Sequence, residues 1–169
     1  GRLEKRLDEV CLFGAYFEED GKLLLPEELT FDKRVAKKKK QLAEYLTIVN
    51  DRVLSDGGKE YKKTEFLQEL LNDQERRKEH IDEIIALAKA ERFDGVEIDY
   101  ERIWKDCETK DTFLPFIKEL YAATTANNLK LRVVLEPGTP FNDIELPPGP
   151  KYVVMLYNLY GLHSGPGPK

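Results

Sequence analysis

The sequence predicts an α/β fold in which the strands of a parallel sheet alternate with helices. Two observations predict it: five short apolar runs, and longer amphipathic stretches between them. The runs are almost continuously apolar, which is typical of strands buried on both faces. They span residues 10–17, 45–49, 93–100, 129–135 and 152–157. The alternation fits a complete doubly wound sheet or part of an eight-stranded barrel.

Three amphipathic stretches predict the helices. The clearest runs from Thr64, a candidate N-cap, to Arg92, with isoleucines and leucines recurring three and four residues apart. A second candidate cap at Asn72 or Asp73 divides this stretch into two helices. The other two predicted helices cover residues 31–44 and 113–127.

Length and composition limit the class of protein. A chain of 169 residues is expected to form a single domain over residues 1–169. The net charge of −5 has the wrong sign for a nucleic-acid partner, and no apolar run is long enough to predict a membrane span. Two distant cysteines, Cys11 and Cys107, imply neither a disulfide framework nor a metal site. No cofactor is implied.

The segment DGVEIDYE, residues 94–101, contains the candidate catalytic residues. In a strand, Glu97, Asp99 and Glu101 share one face, while the apolar residues 96, 98 and 100 share the other. On a barrel strand the acidic face points to the interior. Carboxylates are disfavoured there unless they are ion-paired, neutralised by protonation or used in catalysis. Like charges two residues apart raise at least one pKa, as acid catalysis near neutral pH requires. A solvated helix face is the alternative, and Gly95 and the β-branched residues argue against it.

These residues resemble a known family. Asp94 to Glu101 resembles the Asp-x-x-Asp-x-Asp-x-Glu signature of glycoside hydrolase family 18, the chitinase-like family, with Glu97 in place of the second Asp. Residues 66–92 resemble the preceding helix of bacterial members that act on peptidoglycan. Residues 152–158, YVVMLYN, resemble the sixth-strand Met-x-Tyr-Asp motif, and residues 129–137 and 7–22 resemble the fifth and second strands.

The resemblance implies a (β/α)8 TIM barrel of which this chain is an incomplete portion. The strands correspond to the second through sixth, so we expect additional chain segments to supply the first, seventh and eighth. The implied partner is an amino-sugar polysaccharide or oligosaccharide: chitin, peptidoglycan or the core of an N-glycan. The implied location is secreted or at the cell surface.

The resemblance also assigns roles for retaining, substrate-assisted hydrolysis. Glu101 is implied as the general acid and then the base, and Asp99 as the group that orients the acetamido group of the substrate. Glu97 would tune Asp99, Tyr157 would donate its hydroxyl to the acetamido oxygen, and Met155 would line the subsite floor. Asn158 would adjoin the substrate in the same motif. Asp94 has the opposite strand parity and is interpreted as structural.

Two further residues are candidates for sugar contacts, and the sequence differs from the family pattern at several positions. Glu136 directly follows the fifth predicted strand, at the barrel mouth, and is a candidate contact for a sugar hydroxyl; Trp104 is either a sugar-stacking residue or a packing anchor. Glu97 and Asn158 each replace an Asp, and residues 47–52, TIVNDR, lack the third-strand Ser-x-Gly-Gly motif, which predicts a different loop there. Two alternatives therefore stay open: a non-catalytic, lectin-like carbohydrate-binding protein on the same barrel, and a different barrel enzyme with the acids as Mg²⁺ ligands.

Overall fold

The computed structural model describes residues 8–35, 42–105 and 107–156. Within these ranges, the strands are β1 (Glu9–Glu18), β2 (Leu23–Leu24), β3 (Ala43–Val53), β4 (Lys59–Glu60), β5 (Gly95–Asp99), β6 (Lys130–Leu135) and β7 (Lys151–Val154). The α-helices are α1 (Phe31–Val35), α2 (Glu65–Asn72), α3 (Gln74–Ala90) and α4 (Cys107–Ala126). Two short 3-10 helices cover Glu27–Leu29 and Ile103–Lys105.

The five parallel strands of the sheet, β1, β3, β5, β6 and β7, lie in chain order. The order is β2-β1-β3-β5-β6-β7, with β2 antiparallel to β1 and β4 antiparallel to β3. The register places Thr47 of β3 beside Glu97 of β5, and Glu97 beside Arg132 of β6. A doubly wound sheet reverses its strand order at a switch point, and the five parallel strands described here do not. The topology therefore favours the barrel interpretation.

The two faces of the sheet have opposite characters. One face packs against α2, α3 and α4 in a single hydrophobic core that contains Leu46 and Ile48 of β3 and Val96 and Ile98 of β5, all with no exposed surface. The opposite face, the inner side of the sheet, carries the polar groups Thr47, Glu97 and Arg132 in contact with one another. This one-sided cover by helices is the arrangement of a barrel wall.

A contact between the outer parallel strands shows that the sheet curves. Lys151 Nζ of β7 donates a hydrogen bond to Glu9 Oε2 of β1 at 2.8 Å. Neighbouring strands lie about 4.8 Å apart, so these two strands, four positions apart, would be separated by about 19 Å in a flat sheet. Lysine and glutamate side chains cannot bridge that distance. The inner face is therefore strongly concave.

Several predicted elements are confirmed. The five predicted strands correspond to β1, β3, β5, β6 and β7, and the long helical stretch divides at Asp73, as predicted. The Asp73 carboxylate accepts a hydrogen bond from the backbone N–H of Arg76 at 2.8 Å and begins α3. In the described residues, no helix has both the length and the apolar character to cross a membrane.

Three boundaries were predicted wrongly. The helix expected over residues 31–44 ends at Val35 in the described part, and Ala43 and Glu44 belong to β3, where they pair with Glu9 and Val10. The strand expected over residues 45–49 continues to Val53, into the segment expected as a loop, because β3 pairs with β4 there. Pairing between strands overrides local propensity at both places. The helix expected over 113–127 begins earlier, at Cys107.

Candidate active site

Strand β5 separates the acidic side chains from the apolar ones, as the alternation predicts. Val96, Ile98 and Tyr100 are buried in the core under the helices. Glu97 and Asp99 lie on the inner face, and Glu101 follows two residues beyond the last strand residue, at the C-terminal edge of the sheet. Barrel enzymes place their chemistry at this edge.

Glu97 is fully engaged on the inner face. Its Oε1 accepts a hydrogen bond from the Thr47 hydroxyl at 2.9 Å, and its Oε2 accepts one from the Cys11 thiol at 3.2 Å. Arg132 Nε lies 2.9 Å from the same Oε2 as an ion pair, although its N–H is not aimed at an acceptor. Burial, followed by the hydrogen bond to Glu97, raises the pKa of Cys11 to about 12, so the thiol is protonated. Glu97 is thus a paired, structural carboxylate.

Asp99 is the carboxyl group on this face with a strongly altered acidity. Burial, followed by the negative charges of Glu101, Glu97 and Glu136, raises its pKa to about 6, against a smaller lowering by Lys62. Its Oδ1 is buried and has no hydrogen-bond partner in the described structure. Asp99 can therefore hold or release a proton near neutral pH, and one of its oxygens has an unsatisfied hydrogen-bonding capacity.

Glu101 is held at the edge by its backbone and by its side chain. Its N–H donates to Asn50 Oδ1 at 2.9 Å, and its carbonyl accepts from Asn50 Nδ2 at 3.0 Å. Its Oε1 lies 2.5 Å from Lys62 Nζ. Asn50 is buried, which makes its side chain a rigid clamp on the chain at Glu101.

The remaining predicted residues lie near this edge or outside the described part. Glu136, directly after β6, accepts a hydrogen bond from the backbone N–H of Arg102 at 2.7 Å, so it braces the segment after Glu101. Met155 follows β7 and shares strand parity with Lys151, which points to the inner face. Tyr157 and Asn158 lie outside the described residues.

Asp94 and Trp104 have structural roles. The Asp94 carboxylate accepts a hydrogen bond from the backbone N–H of Glu44 at 2.8 Å, at the entrance to β5, as its strand parity predicts. The Trp104 ring packs edge-on against Phe113, with ring centroids 5.6 Å apart. The prediction of Trp104 as either a sugar-stacking residue or a packing anchor is thereby resolved toward packing.

Sequence reasoning missed four residues that shape the site: Thr47, Asn50, Lys62 and Arg132. Thr47 and Arg132 could have been found, because they interrupt apolar runs at positions that share a face with Glu97. Asn50, a polar residue at the end of a buried run, carried a weaker signal. Lys62 carried none, because its contact with Glu101 depends on the hairpin formed by β3 and β4.

The described residues contain no group of three or more His, Cys, Asp or Glu side chains that could hold a metal ion. Three of the four carboxylates here are instead engaged by protein donors: Thr47 and Arg132 on Glu97, Lys62 on Glu101, and the Arg102 amide on Glu136. The geometry gives no support to the Mg²⁺ alternative.

Comparison with known proteins identifies the class of protein that this fold and site define. The family model of "Glycosyl hydrolases family 18" matches residues 10–166. The chain therefore belongs to glycosyl hydrolase family 18, and its sheet is a portion of a (β/α)8 barrel. No curated protein sequence matches the chain.

Three solved structures illustrate the similarity of fold. YdhD of Bacillus subtilis, described as a candidate sporulation-specific glycosylase, has a TM-score of 0.71 at 20% identity, covering 95% of this chain and 53% of that one. The chitinase-like agglutinin of Robinia pseudoacacia has a TM-score of 0.64 at 22% identity, covering 90% and 49%. A class V chitinase from Nicotiana tobaccum, a mutant form in complex with NAG4, has a TM-score of 0.60 at 19% identity, covering 76% and 38%. The chain spans about half the length of such relatives or less.

Proposed function

We propose that the protein is a retaining glycosidase that hydrolyses β-linked N-acetylglucosamine glycans, with Glu101 as general acid and base. The proposal rests on two neighbouring carboxyl groups, Glu101 and Asp99, which lie at the C-terminal edge of the sheet in different environments. Glu101 is clamped by Asn50 at the C-terminal end of β5, and Asp99 beside it has a pKa of about 6 and an unpartnered oxygen. Two neighbouring carboxyl groups in different environments are the usual basis for dividing acid and electrostatic roles.

In the proposed reaction the substrate supplies its own nucleophile. The N-acetyl oxygen attacks the anomeric carbon while Glu101 gives its proton to the departing glycosidic oxygen, and the C–O bond breaks. Asp99, through the oxygen that lacks a partner, receives the acetamido N–H and stabilises the positive charge of the oxazolinium ion. Glu101, now a carboxylate, then takes a proton from the water that opens the ring.

Other residues have supporting roles in the proposal. Glu97, fixed by Thr47 and Arg132, keeps a negative charge below Asp99 and contributes to its raised pKa. Met155 lines the floor of the sugar subsite, and Glu136 adjoins a sugar hydroxyl. Tyr157 donates its hydroxyl to the acetamido oxygen, and Asn158 follows it beside the substrate.

The proposed substrates are chitin-like chains, peptidoglycan glycan strands and the N-glycan core. The likeness to a chitinase in complex with NAG4 supports an amino-sugar ligand, and the likeness to a candidate sporulation-specific glycosylase supports glycosidase chemistry. Further chain segments would complete the barrel beyond β1 and β7. We also propose that the protein acts at the cell surface or after secretion, where such glycans occur.

A lectin-like function is the second candidate. The specific observation in its favour is that the Glu101 carboxylate is already paired with Lys62, and the likeness to a chitinase-like agglutinin adds support. A lectin on this barrel would bind N-acetylglucosamine oligomers without cleaving them.

The test is release of 4-nitrophenol from an N-acetyl-chitobioside. It uses both the 169-residue chain and the longest natural polypeptide that contains it. Glu101→Gln is expected to lower turnover about 100-fold or more, because it cannot give a proton. Glu69→Gln, a change on the exposed face of α2, serves as the matched control and is expected to keep wild-type turnover. Calorimetric binding of chitotetraose without turnover in the folded protein would favour the lectin.

A further inference from the structure

The hairpin of β3 and β4 brings a lysine onto Glu101. Lys62 lies two residues after β4, and its Nζ is 2.5 Å from Glu101 Oε1. Both side chains are partly exposed, at 39% for Lys62 and 23% for Glu101. Ion pairs with this much solvent add little to stability, so a role in folding does not account for the contact.

The backbone around Lys62 is built to hold this position. Lys62 has φ of 55°, in the left-handed region that residues with a Cβ rarely adopt. Its N–H donates to Asp51 Oδ1 at 3.1 Å, and Asn50 Nδ2 donates to the carbonyl of Lys63 at 3.2 Å. Asn50 thus ties the backbone next to Lys62 to the backbone of Glu101, because the same amide binds both. An unfavourable conformation held from two sides indicates a functional constraint.

The charges around Glu101 explain why a cation there matters. Asp99 and Glu97 on β5 and Glu136 after β6 are acidic, and Glu101, Glu97 and Glu136 each raise the pKa of Asp99. Lys62 opposes them from the β3–β4 side and lowers it. When an acid at such an edge gives up its proton, the new carboxylate forms among other carboxylates. A fixed ammonium group in contact with it offsets that repulsion.

We propose that Lys62 is a positioning residue for the hydrolysis: it holds the Glu101 carboxyl group and stabilises the negative charge that forms there as its proton passes to the glycosidic oxygen. This inference rests on the proposed function. Lys62 keeps its own protons throughout, and the proton that moves comes from Glu101. In the second half of the reaction the same contact holds the Glu101 carboxylate toward the attacking water.

The first experiment measures kcat and KM for 4-nitrophenyl N-acetyl-chitobioside in the full chain. Lys62→Met is expected to lower kcat about tenfold or more with KM within about twofold. Lys62→Arg, which keeps the charge, is expected to recover most of kcat. Lys59→Met removes a positive charge from the exposed part of the same hairpin and is expected to match the wild type. Unchanged kcat in Lys62→Met, a raised KM alone, or no recovery by Lys62→Arg would overturn the proposal.

A second readout separates this inference from the proposed function. The side-chain carboxyl carbon of Asp99 is titrated by NMR in the wild type, Lys62→Met and Lys62→Arg. Loss of the ammonium group is expected to raise the pKa of Asp99 above its value of about 6, and Lys62→Arg to leave it in place. If none of the three proteins hydrolyses the substrate but the pKa of Asp99 shifts as expected, the hydrolase proposal fails and the electrostatic role of Lys62 is supported. An unmoved titration in Lys62→Met would overturn that role whether or not turnover is seen.

Discussion

Arg132 Nε of β6 lies 2.9 Å from Glu97 Oε2 of β5, and the pair is largely buried on the inner face, with 18% and 8% of the side chains exposed. The Thr47 hydroxyl and the Cys11 thiol satisfy the rest of the Glu97 carboxylate. Glu97 replaces an Asp of the family signature, and its longer side chain is anchored to these neighbours. Asp99 is left with an unpartnered oxygen at the site.

Breaking this pair should destabilise the protein. Arg132→Met leaves the Glu97 charge buried without its cation, and we expect the free energy of unfolding to fall by about 2–4 kcal/mol. In the double variant, Glu97→Gln removes the unpaired buried charge. The double variant should therefore lose less free energy of unfolding than the two single variants lose together. Urea unfolding of all four proteins measures the coupling. Strict additivity would show that the two side chains do not interact.

The raised pKa of Asp99 makes stability depend on pH in a defined direction. Because the folded-state pKa of about 6 exceeds the ordinary value of 3.8, the stabilising contribution is complete below about 3.8 and is lost as pH rises through 6. Asp99→Asn removes this dependence and should raise the free energy of unfolding at pH 7 by about 1–2 kcal/mol, after allowance for solvent screening. Urea unfolding at about pH 4.5 and about pH 7.5 tests it. Asp143→Asn, in an exposed loop, is the control and should leave the pH dependence as it is.

His80 acts in the opposite direction. It is buried, and desolvation lowers its pKa to about 3, so the folded protein holds it neutral, with Nε2 2.9 Å from the Tyr100 hydroxyl. An unfolded His takes up a proton below about pH 6.5. The free energy of unfolding should therefore decrease as the pH is lowered from about 6.5 to about 3, by up to about 1.4 kcal/mol per pH unit. His80→Gln should flatten this loss, whereas Tyr100→Phe, which keeps the imidazole, should not. Equal slopes in His80→Gln and the wild type would contradict the assignment.

Gly95, the first residue of β5, permits close packing on the inner face. A Cβ there would lie 2.6 Å from the Tyr45 ring and 2.8 Å from the Lys130 carbonyl oxygen. Gly95→Ala should therefore lower the free energy of unfolding by about 1–3 kcal/mol. Gly138→Ala meets nothing within 4 Å and is the matched control for thermal unfolding. Equal melting temperatures for the two variants would show that the space around Gly95 adjusts.

The sequence predicts the sheet and the acidic face because both follow from short-range periodicity. The alternation in residues 96–101 needs only that β5 is a strand, and the division of the helices at Asp73 needs only a local cap. The contact of Lys62 with Glu101 joins residues on different elements, and no periodic pattern encodes it. The helix expected through Glu44 failed for the same kind of reason, because pairing with Val10 is a tertiary property.

The measurement that tests the central claim most directly is the dependence of the Glu101→Gln defect on the leaving group. Two N-acetyl-chitobiosides are compared, one with 2,4-dinitrophenol, which departs without a proton, and one with 4-methylumbelliferone, which needs more help. If Glu101 is the general acid, Glu101→Gln should lower kcat/KM about 100-fold or more for the 4-methylumbelliferone substrate. For the 2,4-dinitrophenol substrate the loss should be at least about tenfold smaller. An equal loss with both leaving groups, or no loss with either, would contradict the assignment of Glu101.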